Sequence, residues 1–378
     1  MLEDSVDPAM LRHHGDVEAR PGMLDFAVNV QGVAPPDWLR DRLAARLADL
    51  GRYPGSDDED AARVAVAARH GRSPDEVLLL AGAAEGFAML PRLAPRLAAV
   101  IHPSFTEPEL ALREADVPVI RVILERPYTL DPTLVPEAAD LVVLGNPTNP
   151  TSVLHPVESI QALRRPGRII VVDEAFADAV VSIATGSAAG ESPSTMGGLV
   201  GSGDDLADAS SPVAGEPESL AGLSAPDVIV FRSLTKTWAL AGLRCGYALG
   251  APDLLARLAH GRPHWPLGTL QLEAIIATAE PAAVAESQRY ADRIAVDRTA
   301  MIDRLTALGL DVHTPATGPF LLLRVPDGAL LRKHLADRGI AVRRADTFPG
   351  LGPDHLRVAV RGAAEVDRLI DTLKAALW

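Results

Sequence analysis

The chain has 378 residues, 48% of them hydrophobic, and a formal net charge of −14. That length suits one large domain with a smaller companion, and the acidic balance argues against a nucleic-acid binder, which needs a basic face toward phosphates. The single cysteine, Cys245, excludes an intrachain disulfide and a thiolate zinc site and fits a reducing cytosol. The acidic start "MLEDSVDPAM" lacks the layout of a signal peptide, and no apolar run approaches the roughly 20 residues that span a bilayer; a cytoplasmic protein without membrane contact is expected.

In chain order, the first forty residues read as irregular, with "LDFAVNVQGVAPP" a short extended segment ending in a proline-rich turn. "DWLRDRLAARLADL" has leucines at helical spacing, and "RYPGSDDEDAARVAVAARHG" gives a turn, an acidic helix start and a helix closed by Gly71. Seven short apolar runs follow as candidate strands: "EVLLLAG", "AAVIHP", "PVIRVIL", "DLVVLGNP", "RIIVVDEA", "DVIVFRS" and "CGYALG". Helical patterns such as "AEGFAMLPRLA", "EPELALREAD" and "VESIQALRRP" separate several of them. Near-continuous apolar strands alternating with helices predict an α/β fold around a mostly parallel sheet covered on both faces. Residues 182–215, rich in Ser, Gly, Ala and Asp, read as a surface insertion, either a plain solvated loop or a lid. After Gly250 the pattern predicts one long helix through "EAIIATAEPAAVAESQRYADRIAVDRTAMIDRLTALG", then short strands and helices of an α+β companion. The expected division is an N-terminal segment joining the small domain (1–45), a large domain (46–255) and a small C-terminal domain (256–378).

Chemistry enters at the ends of the strands, where open parallel sheets bind ligands. "VVDEAFADA" ends a strand in Asp173, either a helix cap or a site carboxylate. "VVLGNPTNPTSVL" places Asn146 and Asn149 before prolines; both suit a turn, and Asn149 also suits donation to a ligand. "LLLAGAAEGFAML" puts Gly82 and two alanines at a strand-to-helix turn, where backbone N–H groups can approach an anion. Lys236 in "SLTKTWALAGLRCGYALG" is one of only three lysines in a chain that otherwise uses arginine. A lysine at a strand end in apolar surroundings is either a structural ion-pair partner or an amine nucleophile with a lowered pKa. Ser233 and Thr235 offer hydroxyls to a phosphate, and Arg244 a bidentate guanidinium. A Schiff-base lysine, a carboxylate for a pyridinium nitrogen and phosphate donors are together the parts of a pyridoxal 5'-phosphate site.

"SLTKTWALAGLR" resembles the S-x-x-K-x(5–6)-G-x-R signature of fold-type I aminotransferases. With "NPTNPTS" and "VVDEAF" in the same order, the likeness covers nearly the whole chain. The subgroup it resembles contains histidinol-phosphate aminotransferase and the threonine-phosphate decarboxylase of cobalamin synthesis. That resemblance implies a fold-type I enzyme whose Lys236 holds pyridoxal 5'-phosphate and moves protons at the substrate carbon. It implies that Asp173 pairs with the pyridine nitrogen, Asn149 hydrogen-bonds the phenolic oxygen and Phe105 stacks on the ring, near Phe176. The backbone at Ala83, Ala84 and Glu85, with Ser233, Thr235 and Arg244, would hold the phosphate. Tyr53 would reach a phosphate in a second subunit, implying a homodimer with shared sites. Arg357 looks like the substrate-carboxylate arginine and Arg343 like the one that meets a substrate phosphate; Asn29 lies in the segment that holds substrate backbone groups.

Three features lean toward the decarboxylase. "RHHGD" before "LDFAVNV" is similar to that family's "HGGD … LDFSxNxNPxG" opening and puts His13 at the substrate; a solvated terminal histidine is the plain alternative. Phe176 stands where the aminotransferases usually have Tyr, or is simply a core residue. Arg361 beside Arg357 is either an extra anion contact or a surface arginine. Departures include "NVQG" for N-x-N-P, "NPTS" for "NPTG" with Ser152 in place of Gly, and "HWPLGTLQLEA", which keeps Trp265. Whichever bond at the substrate's α carbon stands perpendicular to the ring breaks, so one residue set serves both reactions; positioning, worth roughly 7–11 kcal/mol in favourable cases, decides. The first expectation is L-threonine-O-3-phosphate decarboxylation, with histidinol-phosphate or general amino-acid transamination as the alternative. A non-catalytic cofactor-sensing module would need a DNA-binding segment ahead of the domain, and only about twenty residues precede "LDFAVNV".

Overall fold

A computed structural model describes residues 8–181 and 216–377; the insertion read at 182–215 lies outside the described residues. Seven strands form the large sheet: β1 (Val77–Leu80), β2 (Ala98–His102), β3 (Val119–Ile123), β4 (Leu141–Gly145), β5 (Ile169–Asp173), β6 (Val228–Ser233) and β7 (Gly246–Leu249). Their order is β1-β7-β6-β5-β4-β2-β3. The pairs among β2 to β6 are parallel, whereas β7 runs antiparallel to both β1 and β6. These are the seven apolar runs of the sequence. Most can be apolar throughout because helices cover both faces, leaving no solvent side to demand alternation.

On one face, α1 (Asp37–Ala45) and α2 (Ser56–His70) pack against the sheet. Helix α2 opens on Asp57, Asp58 and Glu59, ends on Arg69 and His70, and stops at Gly71 with φ 64°. Acidic start, basic end and a left-handed glycine cap each favour a helix of that extent. The other face carries α3 (Ala83–Met89), α4 (Glu107–Glu114) and α5 (Pro252–Leu258).

The long helix expected after Gly250 is two helices, α6 (Thr269–Ala279) and α7 (Pro281–Ala307). Pro281 is the cause. The residue before a proline is pushed out of the α region, and Glu280 has φ −64° and ψ 145°. Leu272, Ala274, Ile275 and Ala277 of α6 join the large core. The smaller sheet contains β8 (Asp311–Val312), β9 (Phe320–Arg324), β10 (Arg343–Arg344) and β11 (His355–Ala359) in the order β10-β11-β9-β8. It packs under α7, α8 (Gly328–Asp337) and α9 (Ala363–Leu377). The early segment crosses over to this unit: Leu24 and Asp25 pair in parallel with Ile340 and Ala341. No helix among the described residues is long and apolar enough to cross a membrane.

Candidate active site

A cavity of about 530 Å³ opens at the carboxyl ends of β4, β5 and β6, between the two sheets. Register brings its floor together. Asp173 ends β5, paired with Gly145 of β4 and Phe231 of β6. Lys236 follows β6 by three residues in a turn fixed by Trp238, which is fully buried edge-on to Trp38 at 5.6 Å and Tyr290 at 5.9 Å. Removing a ring so packed typically costs about 3–5 kcal/mol, so the turn carrying Lys236 is firmly seated.

Electrostatics on the floor are unusual. Burial lowers the Lys236 amine to about 8, with Arg357 and Arg244 adding to the shift and Asp16 and Asp173 opposing it. Burial raises the Asp173 carboxyl to about 7, helped by Glu174 and opposed by the Ala175 N–H and Lys236. Asp173 is thus a carboxyl short of a cation, and Lys236 an amine that sheds its proton far more readily than an ordinary lysine. At one corner, the Ser233 and Thr235 hydroxyls lie 2.7 Å apart, with Arg244 beside them on the cavity wall. Gly82, at φ 82°, faces Arg244 so closely that a Cβ there would stand 2.8 Å from the guanidinium. Ala83 and Ala84 complete this corner.

The substrate side is built from distant segments. Arg343 donates from Nη2 to the His13 carbonyl at 2.6 Å and to Thr347 Oγ1 at 2.7 Å, while its buried Nη1 has no partner among the described residues. Arg357 donates to Asn149 Oδ1 at 2.9 Å and to the Ala27 carbonyl, and its Nε has no partner among the described residues. Burial lowers Arg343 to about 10 and Arg357 to about 9, with Arg343 also repelling Arg357. Two desolvated guanidinium groups with idle N–H donors fit an anionic ligand.

Of the residues singled out in the sequence, Asp173, Lys236, Ala83, Ala84, Phe105, Asn149, Phe176, Ser233, Thr235, Arg244, His13, Asn29, Arg343 and Arg357 line this one cavity. Phe105 packs against Phe87 at 5.9 Å, and Phe176 sits edge-on to Phe320 at 5.0 Å. Asn29 is buried with its Oδ1 free of partners.

The expectation at Glu85 needs correction, the alternatives at Arg361 and Asn146 resolve toward structure, and Tyr53, expected at a second subunit, keeps that reading. Glu85 is not on the wall: its N–H bonds the Gly82 carbonyl at 3.1 Å, and its carboxylate takes Ala81 N–H and Arg262. Arg361 is no anion contact, because it binds the carbonyls of Asp25, Val28 and Val360. Asn146 is structural, locked to His155 and the Glu218 carbonyl. Tyr53 lies away from the cavity of its own chain, 73% exposed and stacked on Trp265 at 4.4 Å.

His14, which no motif marks, also stands at this site, its ring 5.4 Å from Phe105 and its Nε2 2.5 Å from Glu107. The neighbouring His13 instead turns its Nε2 to Glu18 at 3.0 Å. Only the adjacent pair of histidines hinted at this. Phe348, beneath the Arg343 guanidinium at 5.1 Å, gave no signal.

Residues 22–373 match the family of class I and II aminotransferases. The chain belongs to that family. It is 51% identical over 358 residues to a histidinol-phosphate aminotransferase of Mycobacterium tuberculosis, an alignment covering 95% of this chain and 89% of that one. It is 26% identical to the threonine-phosphate decarboxylase of Salmonella typhimurium over 94% of this chain and 91% of that one. The crystal structure of the histidinol-phosphate aminotransferase from Clostridium acetobutylicum has the same fold, with a TM-score of 0.78, 21% identity and coverage of 94% and 99%. This aminotransferase-family chain is a pyridoxal-phosphate-dependent enzyme with the fold-type I architecture. The residues present fit the cofactor: a carboxyl in want of a cation, an amine lowered to about 8, and a corner of hydroxyls and guanidinium kept open by a glycine.

Proposed function

We propose that the enzyme transaminates histidinol phosphate, with 2-oxoglutarate as the acceptor of the amino group. The observation that carries this reading is the 51% identity to the mycobacterial histidinol-phosphate aminotransferase, against 26% to the decarboxylase. It displaces threonine phosphate decarboxylation, the first expectation from the sequence, to second place.

When bound, pyridoxal phosphate supplies an electron sink for bonds broken at the substrate's amino-bearing carbon. Lys236 provides the amine that holds the cofactor and carries the proton to and from that carbon, for which a value near 8 suits working pH. Asp173 would pair with the ring nitrogen and keep it protonated, since ion pairing there would relieve the carboxylate's unfavourable burial. Phe105 would support the ring face, and Asn149, whose Oδ1 is already engaged by Arg357, would have its amide N–H groups left for the ring oxygen. Ser233, Thr235 and Arg244 hold the cofactor phosphate. Arg343 and Arg357 take the substrate's phosphate and then the two carboxylates of 2-oxoglutarate, one anion set replacing the other.

One observation favours the second reading. Threonine phosphate carries a phosphate and a carboxylate at once, and the Arg343–Arg357 pair offers idle donors to both. The test is a paired assay on purified enzyme: histidinol phosphate with 2-oxoglutarate, followed by glutamate release, against threonine phosphate, followed by CO₂. Glutamate without CO₂ supports transamination; CO₂ without glutamate overturns it.

The exposed Tyr53–Trp265 stack supports a homodimer in which Tyr53 completes the partner's site. Sedimentation velocity should give a dimer, and Tyr53→Phe should weaken cofactor binding; a monomer with full activity would refute it.

A further inference from the structure

Behind the floor of the cavity lies a group of buried charges that none of the roles above uses. Glu216 accepts from Arg232 at both oxygens, at 2.7 and 2.9 Å, and from Arg69 at 2.9 Å. Arg232 also reaches Glu174 Oε2 at 3.2 Å. Glu174 is otherwise bound by the Ser219 hydroxyl and the Leu220 N–H, each at 2.7 Å. The side chains of Arg69, Arg232, Glu174 and Glu216 are each at most 8% exposed. Asp178 faces the same group, hydrogen-bonded by Thr237 and with its Oδ1 unpartnered. His70 and Tyr247 close it, 2.8 Å apart.

Buried ion pairs are poor devices for stability, because desolvation offsets most of the attraction. Their placement here points to another role. Glu174 directly follows Asp173, and Arg232 directly precedes Ser233. Successive residues of a strand face opposite ways, so Asp173 and Ser233 face the cavity while Glu174 and Arg232 face its back. The Glu174–Arg232 contact therefore ties the ends of β5 and β6 together from behind, and Asp178–Thr237 ties the residue after Lys236 to the chain beyond β5. Arg232 could swing away from Glu174; the bidentate grip of Glu216 prevents it, and Arg69 of α2 holds Glu216 in turn.

We propose that Glu216 is a positioning residue for the active site: clamped between Arg69 and Arg232, it holds Arg232 against Glu174 and so sets the spacing of Asp173 from Ser233 and Lys236. The proposal rests on the assignment of Asp173 and Lys236 to the cofactor. Neutralising Glu216 releases Arg232 and removes one negative charge from behind the floor, making the potential there more positive. Cofactor affinity then falls, and the cationic form of the lysine-linked cofactor becomes harder to hold.

The experiment uses the full chain, wild type, Glu216→Gln and Glu216→Asp, with two readouts: the dissociation constant of pyridoxal phosphate from titrated apoenzyme, and the pH midpoint of the bound cofactor's absorbance. Glu216→Gln should weaken binding about tenfold, the scale of losing a charged hydrogen bond, and lower the midpoint by roughly half a unit or more. Glu216→Asp keeps the charge and shortens the reach, so it should restore the midpoint and only part of the affinity. A folded Glu216→Gln protein that binds within about twofold of wild type, with an unshifted midpoint, overturns the proposal. If Glu216→Gln does not fold, Arg69→Met combined with Glu216→Gln removes one cation with the anion; it should fold and bind weakly, and binding within about twofold of wild type again overturns it. Lys236→Ala in the otherwise wild-type chain separates the underlying assignment: if its bound cofactor keeps the same pH-dependent band, the lysine assignment has failed, not the clamp.

Discussion

The two walls of the cavity are made in different ways. The floor comes from the ends of adjacent strands, where ladder hydrogen bonds fix Asp173 against Gly145 and Phe231 and a fully buried Trp238 seats the Lys236 turn. The substrate wall is assembled from segments more than 300 residues apart, Arg343 resting on the His13 carbonyl and Arg357 on that of Ala27. Strand ends resist displacement because moving one residue disturbs a whole ladder; a guanidinium resting on a distant carbonyl shifts with either segment. The floor thus suits chemistry common to many substrates, and the opposite wall suits selection among them.

Substitutions on the two walls should therefore fail differently. The largest loss should come from Lys236→Ala, which removes both the cofactor's covalent anchor and the proton carrier; the lost proton transfer alone is worth roughly 10²–10⁴ in kcat. Turnover and the pH-dependent absorbance should go together while thermal stability holds. Arg357→Lys comes next. It keeps the charge but loses the planar fork that meets Asn149, Ala27 and a ligand at once. Losing one charged hydrogen bond to substrate costs about 1.5–3 kcal/mol, a rise of roughly ten- to a hundred-fold in KM. The cofactor should stay bound, its absorbance changing only slightly through the Asn149 contact; a matching loss of cofactor would mean that the two walls are not separable.

Asp173→Asn sharpens the comparison through pH. With its carboxyl raised to about 7 in the folded apoenzyme, against about 3.9 for a free side chain, Asp173 destabilises the apo fold once ionised. Below about pH 4 both states carry the proton and nothing is lost; the penalty grows as pH climbs toward 7 and is complete above it. Apo Asp173→Asn should therefore melt like the wild type at pH 4 and higher than it at pH 8, and it should bind cofactor more weakly. Equal melting at pH 8 would remove the electrostatic account of the floor.

The same contrast explains what was legible in the sequence. Buried parallel strands announce themselves as continuous apolar runs, and the floor residues sit in or just beyond such runs, so Asp173, Ser233 and Lys236 could be read from local pattern. The helix break at Pro281 was also written there, in a proline that restricts its predecessor, yet the apolar periodicity on either side concealed it. The substrate wall was harder. That His14 faces Phe105 while its neighbour lends a carbonyl to Arg343 depends on how the chain's beginning docks on its end. Arg361 shows the same limit: four residues from the anion-binding candidate Arg357, it directs its donors to the carbonyls of residues 25, 28 and 360.

Ser152 sits on the seam between the walls and should give the smallest effect. It occupies φ 65°, a conformation that favours glycine, the residue usual at this place in the family it resembles. What the serine adds is a bond: its Oγ accepts the Gly318 N–H at 2.7 Å, just before β9, beside the bonds from Thr317 that its backbone carbonyl accepts whatever the side chain. In Ser152→Gly, relief of the left-handed strain, about 1 kcal/mol, opposes the loss of a buried hydrogen bond that leaves Gly318 N–H unpaired, about 1–3 kcal/mol. The orphaned donor should win narrowly, lowering stability by about 1 kcal/mol. Ser152→Ala keeps the strain and loses the bond, so it should cost more than Ser152→Gly in denaturant titrations. The reverse order would mean that water replaces the hydroxyl at Gly318 and that the seam owes nothing to this bond.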